Sequence, residues 1–165
     1  METSSKTSIP MIIRITKHLP LLERILLTAL VIGAMLMLLE ISTIVIEVAL
    51  IGLGVVFFLF AFRPVDLSEQ MSKQFGFSEL LGLMIIPKVL WISSGISALG
   101  IAFSLFHLGN DGYKTLLITG GTTIGVGIGV LLFIIFLTGK NKYLNVVLPV
   151  LLRSISLLLM DIYML

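Results

Sequence analysis

The sequence predicts an all-α membrane protein: two tandem transmembrane helical hairpins followed by a fifth, C-terminal helix. Three observations lead there. The 165 residues are 58% hydrophobic and 12% charged, with a mean hydropathy of +1.16, whereas a soluble domain uses roughly 25% charged residues to wet its surface. Several apolar runs approach ~20 residues, the length a helix needs to cross about 30 Å of hydrocarbon. Those runs are continuous rather than alternating, which argues against a barrel, and within lipid a helix bonds all of its own amides.

Residues 1–19 read as a cytoplasmic or interfacial tail carrying Lys6, Arg14, Lys17 and His18. The first apolar run ends without a small-x-small cleavage pattern, so this segment is expected to stay attached. Residues 20–62 form the first hairpin. Pro20 suits the first turn of a helix, where its missing N–H costs nothing. An apolar run then reaches Leu39, "EIST" (Glu40 to Thr43) interrupts it, and a second run extends from Ile44 to Phe62. A single helix over 20–62 would measure about 65 Å, twice a bilayer, so a tight turn is expected at the interruption.

Residues 63–86 contain "RPVDLSEQMSKQFGFSE", whose mixture of charges, Met and Phe reads as a cytoplasmic segment lying in the interface. The second hairpin occupies 87–138, entered at Pro87 and turned at "GNDGYK", where Gly, Asn and Asp tolerate left-handed or locally bonded backbone. Residues 139–165 begin with a cytoplasmic turn bearing Lys140 and Lys142 and end in "YLNVVLPVLLRSISLLLMDIYML". That stretch is long enough to span but holds Arg153, with Asp161 eight residues later. It either crosses the bilayer or lies flat on it, and its length favours crossing. Arg153 either snorkels toward the cytoplasmic face or pairs with an acid on a neighbouring helix.

Basic residues sort by segment. Lys6, Arg14, Lys17 and Arg24 precede or open the first span; Arg63, Lys73 and Lys88 lie between the second and third; Lys140 and Lys142 follow the fourth. Of the two turns expected on the other face, the second holds Lys114 and the first holds no Lys or Arg. This asymmetry places the N-terminus, the middle segment and 139–143 in the cytoplasm of a bacterial inner-membrane protein. The lipid bilayer is the first expected partner, and no nucleic-acid partner is expected.

The strongest physical motif is "GGTTIGVGIG". Gly121, Gly125 and Gly129 recur every four residues, a spacing that lines one helical face and lets another helix approach to backbone contact. The third span offers Ser93, Ser97, Gly100 and Ser104 as a matching surface, and the first offers Ala29 and Gly33. The short turn makes spans three and four the expected pair. The face serves either packing within the chain or an interface with a second copy or another membrane protein.

Three titratable residues are candidates for an ion or proton site. Glu47 can sit within hydrocarbon, where a charge is costly and usually functional or paired; its structural alternative is a side chain one turn inside the outer interface, beside Glu40. Two such carboxylates can share a proton or a cation. His107, in "GIAFSLFHLGNDGYK", is either a proton relay or an interfacial residue marking the outer end of the third span. The second is favoured because Glu40 holds the matching position in the first hairpin. With no cysteine in the chain and no second histidine near His107, neither a disulfide nor a metal site is expected. No nucleophile–histidine–acid set or phosphate loop is visible, so neither an enzyme nor a cofactor is expected.

The hairpins also match one another. Pro20 to Gly33 and Pro87 to Gly100 have the same spacing, each glycine precedes Glu40 or His107 by seven positions, and Pro149 with Arg153 echoes Pro20 with Arg24. Such parallel repeats are common among membrane proteins. "IGAMLMLLEI" with "LIGLGVVFFLFAFRPVD", and again "GIAFSLFHLGNDGYKTLLITGG", resemble the transmembrane hairpin of the inner-membrane motor subunit family of gliding motility and type nine secretion. The resemblance covers roughly 40 residues in each copy. It implies a helical hairpin within a membrane complex. The family's first-helix lysine falls on Met37 and Ser104, Glu47 lies nearest to its membrane glutamate, and a second hairpin stands in place of its long cytoplasmic domain.

These features lead to a non-catalytic membrane subunit that assembles with copies of itself or with a membrane complex. The alternative is a proton- or ion-conducting protein or small transporter.

Overall fold

A computed structural model describes residues 8–63, 76–106, 111–138 and 142–165. Apart from short turns these residues are helical, and none of them lies in a strand. Helix α1 spans Ser8–Leu38 and α2 spans Ile44–Phe60. A short turn of helix, α3 (Phe77–Leu80), runs through a π-helical turn (Leu81–Ile85) into α4 (Ile86–Leu105). Helices α5 (Gly112–Thr138) and α6 (Lys142–Met164) complete the bundle. Four stretches are long and apolar enough to cross a membrane: Lys17–Leu38, Leu81–Leu105, Gly112–Leu137 and Val147–Met164. Helix α2 is apolar apart from Glu47 in its first turn, but its 17 residues rise about 25 Å. The expected fold class is thus what the molecule shows.

The turn expected at "EIST" is present, and its geometry has a physical cause. Glu40 adopts φ 56°, the left-handed region that ends helices. Its N–H donates to the Met37 carbonyl at 3.0 Å, and the Ile41 N–H donates to the Leu36 carbonyl at 3.0 Å. That pair of bonds is the Schellman arrangement, which satisfies carbonyls left free at a helix C-terminus. The Ile44 N–H then donates to Ser42 Oγ at 3.3 Å, which helps to start α2.

Pro87 stands in the first turn of α4, but Pro20 does not open its helix as expected. Pro20 and Pro149 lie inside α1 and α6. Pro87 follows a π-turn in which the Ile86 N–H reaches the Leu81 carbonyl. Because a proline ring crowds the carbonyl four residues earlier and supplies no N–H, one wider turn before Pro87 lets the helix continue instead of breaking. The third span therefore begins upstream of Pro87.

Contacts between helices give their directions. Gly54 meets Leu99, Gly95 meets Phe58, and Phe60 stacks on Trp91, so α2 runs antiparallel to α4. Gly100 meets Leu116 and Leu117 while Gly127 meets Leu90, so α5 also runs against α4. Ser94 pairs with Ser154 and Ser97 with Asp161, so α6 runs parallel to α4. Helix α6 lies alongside α4 in the bundle, not across its end. Helix α4 is the hub, touching α2, α5 and α6, and its small buried residues, Ser93, Ser94, Gly95, Ser97, Ala98 and Gly100, let three neighbours come close. A Cβ at Gly95 would sit 2.8 Å from the Gly54 carbonyl oxygen, and one at Gly33 would sit 2.6 Å from the Ile46 nitrogen. Backbones that near are how helices gain attraction in lipid, where no hydrophobic effect separates helix from solvent.

Candidate functional site

Helix α6 turns Val147, Val150, Ser154 and Asp161 into the bundle, all buried. Positions 147, 154 and 161 are seven apart, a heptad spacing that keeps one narrow stripe facing α4. The stripe begins apolar and becomes polar, and α4 answers it with Trp91, Ser94 and Ser97. The result is a polar seam that starts at the level of Arg153 and Trp91 and runs toward the C-terminal ends of the parallel helices as far as Asp161 and Ser97.

At the near end, Arg153 bridges to Glu23 of α1. Its Nε donates to Glu23 Oε1, its Nη2 donates to Oε2 at 3.0 Å, and its Nη1 donates to the Pro149 carbonyl at 2.7 Å. The guanidinium also lies over the Trp91 ring, 5.7 Å from its centroid, and Trp91 stacks on Phe60 at 4.5 Å. Glu23 is 3% exposed, while about a third of the Arg153 side chain (34%) reaches the surface. A two-toothed arginine–carboxylate contact with a cation–π face holds α1, α4 and α6 at one level.

Further in, Ser94 Oγ and Ser154 Oγ lie 3.0 Å apart. Beyond them Ser97 Oγ stands 2.7 Å from Asp161 Oδ1 and 2.8 Å from Oδ2. Gly121 of α5 covers the carboxylate, for a Cβ there would sit 3.2 Å from Oδ2. Asp161 is 1% exposed. No buried side-chain nitrogen or oxygen among the described residues lacks a hydrogen-bond partner, so the seam is closed by its own groups.

The structure distributes the sequence candidates unevenly. Gly33 and Gly100 stand at close helix contacts, and Ala29 is half-buried. Ser93 donates to the Val89 carbonyl of its own helix at 2.7 Å. Ser97 and Gly121 both surround Asp161. A Cβ at Gly125 or Gly129, by contrast, would meet nothing within 4 Å, with Gly125 half-buried and Gly129 exposed. The face that α5 presents to α4 carries Gly120, Ile124, Gly127 and Leu131: a Cβ at Gly120 would sit 2.9 Å from the Ser97 nitrogen, and one at Gly127 would sit 2.9 Å from Leu90. The expectation that the 121/125/129 stripe packs on the third span is corrected accordingly. "GGTTIGVGIG" holds two glycine stripes on different sides of the helix, starting from the adjacent Gly120 and Gly121, about 100° apart, and the mixed four-then-three spacing follows a helical face better than a strict repeat of four.

Glu40 sits exposed in the α1–α2 turn, and Glu47 is half-buried in the first turn of α2. Both lie at the end of the hairpin, not within the bundle's interior. His107 lies outside the described residues. At the start of α5, Asp111 and Lys114 form an exposed pair at 2.8 Å. The hydrogen bond and charge of Lys114 hold the Asp111 carboxyl below the usual carboxylate range.

The groups that sequence reasoning underweighted are Glu23 and Asp161. Glu23 stands next to Arg24 in what reads as a helix's opening turn, and α1 in fact begins at Ser8. The signal for Asp161 was the Val147–Ser154–Asp161 spacing, which puts an acid on the buried stripe and Arg153 beside it. No family model matches the chain, and neither does any curated protein or solved structure.

Proposed function

We propose that this protein is a non-catalytic subunit of a bacterial inner membrane, N-terminus in the cytoplasm, that acts by associating with a second copy of itself within a membrane complex. The observation that carries this reading is the α5 face at Gly125 and Gly129. A Cβ at either position would meet nothing of its own bundle within 4 Å, which leaves a surface on which another helix can reach backbone contact. Exposed Val126 and Phe133 flank it. The likeness of the two hairpins to a motor-subunit family supports membership of a complex, and the segregation of Lys and Arg supports the orientation.

The chain contains no cysteine, so Val126→Cys is a clean reporter. Oxidative cross-linking in native membranes is expected to yield dimers from Val126→Cys and none from Leu159→Cys, which sits on exposed α6 surface. Gly125→Leu in the Val126→Cys background is expected to abolish the dimer. Absence of cross-linking, together with a monomer in mild detergent, would refute the reading.

Proton or ion passage is a second reading. One observation favours it: Asp161 is a carboxylate sealed inside apolar helices, a costly placement that in membranes usually accompanies function. Flux in proteoliposomes that is lost in Asp161→Asn would support it, and no flux from the unaltered protein would remove it.

A further inference from the structure

Asp161 is bound in a way that depends on its proton. Both carboxylate oxygens lie at hydrogen-bond distance from one atom, Ser97 Oγ, at 2.7 and 2.8 Å. A serine hydroxyl carries a single hydrogen. If Asp161 were ionised, that one hydrogen would be divided between two oxygens. If Asp161 is the neutral acid, two hydrogens serve two contacts: the carboxyl O–H donates to Ser97 Oγ, and the Ser97 O–H donates to the other carboxyl oxygen.

Among the described residues, none places a compensating charge near Asp161. The charged residue of α4 is Lys88, nine positions from Ser97. On α5 it is Lys114, seven positions from Gly121 and paired with Asp111. On α6 itself, Arg153 is eight positions away and held by Glu23; Lys142 is farther still. At 1.5 Å per residue these separations amount to about 10 Å or more. Of the tyrosines on α5 and α6 near this level, Tyr163 is exposed and Tyr113 lies eight positions from Gly121. Gly121 closes the remaining side with its backbone, so no additional donor enters from there.

We propose that Asp161 and Ser97 form a proton-binding site in the α4–α5–α6 core, in which the neutral carboxyl and the hydroxyl exchange two hydrogen bonds and so fasten α6 to α4. Release breaks one O–H bond, passes the proton to water and leaves a carboxylate that the site cannot solvate, which loosens the seam. The site binds its proton whether or not α5 pairs with a second copy, so its test is separate from that of the assembly reading.

The experiment is infrared spectroscopy of the full chain in lipid nanodiscs at neutral pH, beside thermal unfolding across pH. The expected result is a carboxylic-acid C=O band that shifts in D2O, disappears in Asp161→Asn, moves in Ser97→Ala and persists in Glu23→Gln. Unfolding temperature is expected to fall toward alkaline pH in the unaltered protein and to stay level in Asp161→Asn. Lack of an Asp161-dependent acid band would overturn the proposal. So would an Asn variant that fails to fold, or that unfolds earlier than the unaltered protein at every pH, because the amide keeps the shape and a donor of the neutral acid.

Discussion

Replacing Arg153 with Met removes the cation of the seam's near end while keeping much of the side chain's length over Trp91. The consequence follows from how unequally the partners are buried. Glu23 is 3% exposed and would be left as an uncompensated carboxylate; breaking a buried pair this way costs roughly 3–5 kcal/mol. Glu23→Gln is gentler, since Arg153 is 34% exposed, retains the Pro149 carbonyl and the Trp91 face, and can turn toward the headgroups; about 1–2 kcal/mol is expected. Combining the two changes removes both charges, so the double variant is expected to recover a large part of the Arg153→Met loss. A double-variant cycle, read by reversible unfolding in detergent, would report a coupling of at least ~1 kcal/mol. Additive single effects, or an Arg153→Met variant as stable as the parent, would refute the assignment of this pair as the tie between α1 and α6.

Gly33→Val should destabilise the first hairpin by roughly 1–3 kcal/mol, because its Cβ would lie 2.6 Å from the Ile46 nitrogen, a backbone atom with little room to move; thermal unfolding checks this, with Gly112→Ala, whose Cβ meets nothing within 4 Å, as the neutral comparison. For Asp111, whose carboxyl is held below its ordinary range by Lys114, the stabilising contribution is present above the usual carboxylate value and disappears as acidification protonates the folded state. Both side chains are exposed, so solvent screening leaves that contribution too small to move the unfolding midpoint, and Lys114→Ala should match the parent at neutral and at acid pH. Membrane-impermeant labelling of Asp111→Cys should succeed from outside the cell, whereas Lys142→Cys should label after the membrane is opened; the reverse pattern would invert the orientation.

Much of the architecture was legible because lipid imposes so few solutions. Apolar run length counts the helices, and the 43 positions from 20 to 62 could not be one span, so "EIST" had to turn. What periodicity leaves open is rotation about each helix axis. Two overlapping glycine stripes in α5 are equivalent in composition, and the choice of Gly120 and Gly127 over Gly125 and Gly129 comes from Ser97 and Leu90 on α4, far away in sequence. Pro20 misled for a related reason: a helix absorbs Pro20 or Pro149 at the loss of one hydrogen bond and absorbs Pro87 through a π-turn, so proline alone does not date a helix start. Glu47 and Glu40 drew attention by their charge, yet depth depends on where α2 begins, and it begins at Ile44. Asp161 stood on the buried stripe all along, but its importance appears once Ser97 and Gly121 close around it.

The decisive measurement concerns the apposition of α6 with α4. Ser94→Cys combined with Ser154→Cys, in a chain that has no other cysteine, places two thiols where hydroxyl oxygens lie 3.0 Å apart. Oxidation in the membrane is expected to join them into an intramolecular disulfide, detected as a link that survives cleavage at a protease site inserted in the 139–141 segment. Ser94→Cys with Ser156→Cys, whose side chain faces outward on α6, should give none. If the first pair stays reduced while the second pair joins, α6 is turned or placed differently, and the polar seam does not exist as described.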